Sequence, residues 1–80
     1  MGASFAVMVP KPNQRHFSPS ALREARTRAE LTQEELAEEC RTQKQQVSRY
    51  ECGESVPTLD VLLRLAVALH VDVKELLESA

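Results

Sequence analysis

Eighty residues permit one small domain, and a chain of this length leaves little room for an enzyme with a deep active-site pocket. Lys and Arg total 10 and Asp and Glu total 12, so the formal charge of −2 at face value argues against a nucleic-acid-binding protein. Hydrophobic residues make up 42% and charged residues 28%, proportions that argue against wholesale disorder and predict no membrane span or membrane partner. The sequence therefore predicts a folded domain with a mainly aliphatic core.

The side chains best suited to metal or redox chemistry are scattered along the chain. Cys40 and Cys52 do not form a CxxC pair, and His16 and His70 are distant from both in sequence. This spacing predicts no zinc site and no cofactor. No Ser/His/Asp or Cys/His arrangement is recognisable, so we expect no enzyme activity. No signal peptide is recognisable either, so we expect reduced thiols and a cytoplasmic location.

Residues 1–17 differ in composition from the rest of the chain. They contain no acidic residue, two prolines and one apolar run, FAVMV, at positions 5–9. We expect an N-terminal tail that is either flexible or forms a strand pairing with its twin in a dimer. A basic arm that reaches phosphates through Lys11 and Arg15 is a third interpretation. All ten leucines lie after this tail, so residues 18–80 are the predicted folded domain.

The folded region opens with two well-marked helices. Ser18 is a favourable N-cap, and the proline that follows it suits the first turn of a helix that we expect over residues 19–29. Thr32 and Glu35 have capping-box spacing, in which each side chain satisfies a backbone N–H of the other residue. A second helix is therefore predicted from Thr32 to about Cys40.

Three further helix signals follow. Thr42 and Gln45 repeat the capping-box spacing and predict a third helix that ends near Tyr50. Residues 57–69 carry leucines at helical spacing and predict a fourth helix. Asp72 and Glu75 have the same capping-box spacing and predict the start of a short fifth helix. The expected fold class is all-α, with five helices and no strand within this region.

The stretch from residue 32 to residue 53, TQEELAEECRTQKQQVSRYECG, predicts a short helix, a tight turn and a second helix. The small side chain of Ala37 allows two helices to cross closely. The outward face of the second helix collects long polar side chains. Such a face suits the edges of DNA bases, because glutamine can form two hydrogen bonds with adenine, and Lys or Arg can bind the acceptors of guanine. These outward residues are Gln43, Lys44, Gln45, Ser48 and Arg49. An ordinary solvated surface is the alternative interpretation, and it is strongest for Ser48.

At this point residues 18–78 resemble the lambda-repressor and Cro-like helix-turn-helix family, often called Xre-type regulators. The resemblance rests on LTQEELA at 31–37, VSRYE-x-G at 47–53 and PTLDVLLRLAVAL-x-V at 57–71. It implies a compact five-helix lambda-repressor-like bundle in which the second and third helices form the helix-turn-helix. The third helix would lie in the major groove of double-stranded DNA. It further implies a sequence-specific transcriptional regulator that binds a palindromic or pseudo-palindromic operator as a homodimer.

The resemblance assigns DNA contacts to particular residues. Gln33 would contact phosphate and brace the reading helix, whose first turn would read bases. Arg49, one turn further, would extend the reading or bind phosphate. The complete implied set is Gln33, Gln43, Lys44, Gln45, Ser48 and Arg49. The family also implies a partly buried structural salt bridge between Arg26 and Glu51, with Arg26 still able to touch the DNA backbone.

Four positions depart from the family pattern. Arg41 and His70 stand where the family usually has a glycine with positive φ, so we expect two non-glycine residues in that conformation or a turn of different shape. Cys52 and Glu54 stand where the family often has Asn and a basic residue. The phosphate contacts of that loop are therefore not expected to carry over.

Two questions stay open at the level of sequence. The dimer surface is either the fifth predicted helix, through Val71, Val73, Leu76 and Leu77, or the apolar tail. The alternative function is an antitoxin-type or other protein-binding helix-turn-helix module, with a protein partner and autoregulatory DNA binding.

The charge of −2 divides into +4 for residues 1–28 and −6 for residues 29–80. This charge distribution excludes a protein that coats DNA without sequence preference, but it allows a weakly basic surface that reads DNA bases.

Overall fold

A computed structural model describes residues 16–78, which form four α-helices, one turn of 3-10 helix and two very short strands. The α-helices are α1 (Pro19–Arg28), α2 (Gln33–Glu39), α3 (Lys44–Cys52) and α4 (Leu59–Leu69). The 3-10 turn is Val73–Leu76, and the strands are β1 (His16–Phe17) and β2 (Leu77–Glu78). The expected all-α class and the expected helix-turn-helix are both present.

Two of the predicted caps are present in the structure, and Thr58 provides a third cap that was not predicted. Ser18 Oγ accepts the backbone N–H of Ala21 at 3.1 Å, and Thr58 Oγ1 accepts that of Val61 at 3.3 Å. Thr32 and Glu35 form the predicted capping box, with backbone-to-side-chain distances of 2.9 and 3.0 Å. These caps satisfy N–H groups that the first helical turn leaves without a carbonyl partner.

The capping box predicted at Thr42 is wrong. The Thr42 N–H donates instead to the Ala37 carbonyl at 2.9 Å, which closes the C-terminus of α2, so Thr42 lies in the turn rather than at a helix start. The N-cap of α3 is Gln43, whose side chain makes no capping hydrogen bond. Asp72 also makes no side-chain cap.

The predicted fifth α-helix is wrong as well, and the bundle has four α-helices rather than five. Residues Val73–Leu76 form a single 3-10 turn, after which the chain extends as β2 and pairs antiparallel with β1. The Ser18 N–H donates to the Leu76 carbonyl at 2.9 Å and extends this connection. Pairing with β1 draws residues 77–78 into a strand, so the 3-10 turn does not continue as an α-helix.

The two strands place the end of the predicted tail against the domain. Phe17 pairs with Leu77, and its ring meets the ring of Tyr50 edge-on, with centroids 6.4 Å apart. Sequence reasoning did not anticipate this small sheet. The rest of the predicted tail, including its apolar run and the proposed dimer strand, lies outside the described residues.

The core is mainly aliphatic, as the composition predicted, and Tyr50 is its one buried aromatic side chain within residues 16–78. Its fully buried side chains come from every helix and the 3-10 turn: Leu22, Leu36, Cys40, Val47, Leu65 and Leu76. Helix α3 packs against α1 and α2, whereas α4 packs against α2 and the 3-10 turn. Both helices therefore pack against α2, and they differ in their second neighbour, which is α1 for α3 and the 3-10 turn for α4. No helix in residues 16–78 is long and apolar enough to cross a lipid bilayer.

Candidate nucleic-acid interface

The turn between α2 and α3 fixes the direction of the exposed helix. Cys40 caps α2, and Arg41 then adopts φ 59°, the left-handed conformation, which is one of the two alternatives expected for this position. Ala37 is 2% exposed and lies where α2 meets α3, while Val47 buries the inner face of α3. Close packing at Ala37 leaves the opposite face of α3 directed away from the core.

That outward face borders one open groove. Five of the six residues predicted to contact DNA line it, and the sixth, Gln43, is exposed at the N-cap of α3. The lining also includes an acidic residue, Glu54, from the loop after α3. The complete lining is Gln33, Lys44, Gln45, Ser48, Arg49 and Glu54.

The polar side chains of the groove differ in how firmly they are held. Gln33 is half-buried, and its Nε2 donates to Glu51 Oε1 at 3.0 Å. Lys44, Gln45 and Arg49 are exposed, and within residues 16–78 their side chains make no hydrogen bond or salt bridge. The groove thus combines one anchored amide with three extended polar groups that are available to a ligand.

A buried carboxylate lies behind the groove. The side chain of Glu51 has no exposed surface, and Arg26, 17% exposed, approaches it bidentately. Arg26 Nε lies 2.6 Å from Glu51 Oε2, and Arg26 Nη2 lies 3.1 Å from Glu51 Oε1. The third nitrogen, Nη1, donates to the Leu31 carbonyl at 2.8 Å. These bonds join α1, the start of α2 and the end of α3.

The surroundings of Glu51 keep it ionised. Burial by itself would raise the pKa of the carboxyl group, but hydrogen bonds from Arg26 and Gln33, with the charges of Arg26 and Arg23, lower it below its ordinary value of 4.5. The bond to Glu51 in turn raises the pKa of Arg26. Arg23 is the most exposed residue that contacts this carboxylate, and its Nε lies 3.7 Å from Glu51 Oε1.

A family model described as helix-turn-helix, HTH_3, matches residues 22–76. The chain belongs to the lambda-repressor-like, Xre-type helix-turn-helix family. None of the curated proteins searched matches it.

Several solved structures share this fold. The restriction-modification controller protein C.AhdI from Aeromonas hydrophila is 36% identical with a TM-score of 0.70, over 72% of this chain and 88% of that one. The hypothetical transcription factor NHTF from Neisseria is 30% identical with a TM-score of 0.71, over 76% and 70%. The P22 c2 repressor, solved with a synthetic operator, is 24% identical with a TM-score of 0.72, over 78% and 94%. At that lower identity, the P22 likeness concerns the fold alone.

The helix-turn-helix groove is only weakly basic. Lys44 and Arg49 contribute two positive charges, and Glu54 opposes them from the rim. The α2 glutamates do not line this groove, and one of them, Glu39, borders a different groove beside α4. The acidic overall composition therefore leaves a local surface of mixed polarity around α3, as the uneven charge distribution had suggested.

Two contributors to this helix-turn-helix site were not anticipated from sequence. The Leu31 carbonyl accepts from Arg26, and Arg23 adds a second cation near Glu51. A backbone acceptor leaves no sequence signal, but Arg23 lies three residues before Arg26 on α1, a spacing that places both on one helical face. In residues 16–78 no cluster of His, Cys, Asp and Glu could hold a metal ion.

Proposed function

We propose that this protein is a sequence-specific transcriptional regulator that binds double-stranded DNA as a homodimer on a palindromic or pseudo-palindromic operator. The observation that carries the proposal is the groove at α3, where Lys44, Gln45 and Arg49 extend without partners in residues 16–78. Membership of the helix-turn-helix family supports it, as does the similarity to a restriction-modification controller protein. A cytoplasmic location belongs to the same proposal.

In this proposal α3 enters the major groove of DNA. Gln43, Lys44 and Gln45 lie at its N-terminus, where an inserted recognition helix meets base edges. Lys44 suits the acceptors of guanine, and a glutamine amide offers adenine one donor and one acceptor. Arg49 lies more than one turn further along, where it extends the reading or binds phosphate. Ser48 is half-buried and contributes at most one hydroxyl group.

Gln33 has a separate part in the proposal. Its Nε2 is committed to Glu51, so the amide is held at the edge of the groove before any ligand arrives. An anchored amide at the start of α2 suits a backbone phosphate, because phosphate contacts set the position of the protein on the duplex without reading sequence. Preorganisation of this kind lowers the entropy lost on binding.

Selection of bound duplexes from a random pool tests the proposal. The parent should enrich one sequence, and binding should weaken steeply as salt increases. Lys44→Ala and Arg49→Ala should each change or relax the enriched sequence, with a loss of about 1–3 kcal/mol for a base-contacting side chain. Lys74→Ala is the matched control, since Lys74 is exposed on the 3-10 turn and outside the groove.

Two results would contradict the proposal. The first is a parent that enriches no sequence at low salt. The second is an unchanged enriched sequence in both variants, which would remove base reading from Lys44 and Arg49 even if DNA binding persists.

A further inference from the structure

Arg23 brings a surplus positive charge to the buried carboxylate behind the groove at α3. Arg26 and Glu51 already form a bidentate ion pair whose charges cancel. Arg23 adds a second guanidinium group, with its Nε 3.7 Å from Glu51 Oε1, a distance longer than a hydrogen bond. Two guanidinium groups and one carboxylate leave this cluster with a net positive charge.

Arg26 is poorly placed to contact DNA. Each of its three side-chain nitrogens already donates to an acceptor within the domain, two of them to Glu51 and one to the Leu31 carbonyl. Its side chain is also mostly buried. Turning Arg26 toward a phosphate would leave the buried carboxylate of Glu51 without its cation, which is unfavourable. The backbone contact that the family resemblance allows to Arg26 therefore competes, in this chain, with the buried ion pair.

Arg23 is under no such restraint. Its side chain is 60% exposed, and within residues 16–78 the guanidinium group makes no hydrogen bond. Glu51 accepts two hydrogen bonds from Arg26 and one from Gln33, and it keeps all three if the Arg23 side chain turns away. The Arg23 guanidinium can therefore bind a second anion without leaving an unpaired charge in the core.

A shared oxygen atom fixes the position of Arg23 relative to the groove. Gln33 Nε2 donates to the same Glu51 Oε1 at 3.0 Å, and Gln33 lines the groove at α3. The Gln33 and Arg23 nitrogens are therefore no further apart than their two distances to this oxygen laid end to end. The oxygens of one phosphate can reach both nitrogens, since N–H···O hydrogen bonds are about 2.9 Å long. Arg23 thus extends the polar surface of the groove onto α1.

We propose that Arg23 is the phosphate-binding cation of α1 and that, together with Gln33, it holds one DNA backbone phosphate at the edge of the groove at α3. A guanidinium group can direct two parallel N–H groups at two phosphate oxygens, and the Gln33 amide nitrogen has a second N–H for the same group. Such a contact positions α3 but reads no sequence. This inference rests on the DNA binding of the proposed function and adds a residue to which the family resemblance assigns no DNA contact.

The salt dependence of DNA binding tests the contact. Fluorescence anisotropy measures Kd for the enriched duplex and for a duplex of unrelated sequence, between about 50 and 200 mM KCl. Arg23→Gln should weaken binding to both duplexes by the same factor. It should also reduce the slope of log Kd against log salt by about 0.9 for each bound copy. Arg23→Lys keeps the charge and should restore most of this slope.

Arg28→Gln is the matched control for the loss of one positive charge. Arg28 is exposed in the last turn of the same helix, and its position five residues after Arg23 places it on a different face. This control should change the slope by less than half as much as Arg23→Gln. Circular dichroism should show melting temperatures within a few degrees of the parent for both variants, since exposed ion pairs contribute little to stability. Arg23→Ala is a second neutral variant should Arg23→Gln unfold.

Neutral phosphates placed one at a time in the enriched duplex distinguish a direct contact from a structural role. A methylphosphonate removes the charge of a single phosphate. At one position or more it should weaken binding of the parent by at least about fivefold but weaken binding of Arg23→Gln by less than about twofold, because the variant has already lost that contact. The sequence enriched from a random pool should be the same for Arg23→Gln as for the parent.

Several results would overturn the proposed contact while leaving sequence-specific DNA binding in place. They are an unchanged salt slope in Arg23→Gln, an equal reduction in Arg28→Gln, the same loss at every neutral phosphate in parent and variant, and a changed enriched sequence. If the parent enriches no sequence but Arg23→Gln still lowers the salt slope on the unrelated duplex, sequence-specific regulation fails and the phosphate contact stands. A parent that binds no duplex at low salt overturns both.

Discussion

Replacing Glu51 with Gln should destabilise the domain strongly. The Glu51 side chain is fully buried and accepts two hydrogen bonds from Arg26 and one from Gln33. Glutamine has nearly the same shape, so the substitution creates no cavity. It removes the negative charge beside a mostly buried guanidinium and turns an N–H₂ donor toward groups that are themselves donors.

The size of the effect follows from the burial of the two partners. Removing one member of a buried ion pair costs about 3–5 kcal/mol, because the remaining charge is left unpaired. Arg26 is 17% exposed and keeps its bond to the Leu31 carbonyl, so we expect the lower end, about 3 kcal/mol. At about 4–8 °C per kcal/mol for a domain of this size, the melting temperature should fall by about 12–24 °C.

Thermal and urea unfolding, followed by circular dichroism, measure this loss. Glu54→Gln is the matched control, since Glu54 is an exposed carboxylate three residues further along and should change stability by less than about 0.5 kcal/mol. A Glu51→Gln variant that melts within about 2 °C of the parent would refute the assignment of Glu51 as a buried structural carboxylate.

A double variant separates the stranded charge from the net value of the pair. In Arg26→Met with Glu51→Leu, no charge is left buried, so the double variant should be more stable than Glu51→Gln alone. Gln33 and the Leu31 carbonyl lose a partner in this variant and limit the recovery. A double variant as unstable as the sum of both single changes would show that the two residues do not interact.

Further predictions concern pH, backbone conformation and thiol chemistry. The pKa of Glu51 is lower in the folded than in the unfolded state. The contribution of Glu51 to the free energy of unfolding is therefore full above about pH 4.5 and is lost as the pH falls through the folded-state pKa. Over this acidic range, the free energy of unfolding should fall more steeply with decreasing pH in the parent than in Glu51→Gln. His70→Gly, at φ 59°, should raise the free energy of unfolding by about 0.5–1 kcal/mol in urea. Gly53→Ala, at φ 81°, should lower the free energy of unfolding by about 1–2 kcal/mol. The loss comes from backbone strain alone, because the added Cβ would meet only Pro19, at an ordinary contact distance of 3.8 Å. A thiol reagent followed by mass spectrometry should modify exposed Cys52 first, and buried Cys40, whose pKa is raised by burial, only on unfolding.

Local signals explain which helix boundaries could be predicted. Ser18 and Thr32 cap helices through hydrogen bonds to backbone N–H groups three residues further along, so sequence spacing identified these two helix starts. Thr42 satisfies the same spacing but belongs to the end of the preceding helix, because Arg41 takes the left-handed conformation and directs the Thr42 N–H to Ala37. The same residue types serve both ends of a helix, and tertiary packing decides between them.

The sheet and the open face of α4 could not be predicted, because both depend on contacts distant in sequence. Two-residue strands give no alternation pattern, and β1 exists only because the other end of the domain returns to pair with it. In α4 nine apolar residues surround the axis, so periodicity alone does not distinguish the inner face from the outer one. The contact of α4 with α2 and the 3-10 turn settles that choice and leaves Leu59, Leu63 and Val67 outside.

The buried carboxylate and the groove at α3 share the side chain of Gln33, which bonds to Glu51 and lines the groove. Glu51 lies on α3 beyond Arg49, and its carboxylate holds Arg26 on α1 and Gln33 at the start of α2. A small domain with a purely aliphatic contact between α2 and α3 could allow the two helices to slide, because apolar packing has no directional preference. A buried bidentate ion pair has a defined geometry, so it fixes the angle at which α3 is presented. Stability and the precision of the proposed DNA reading therefore depend on the same side chain.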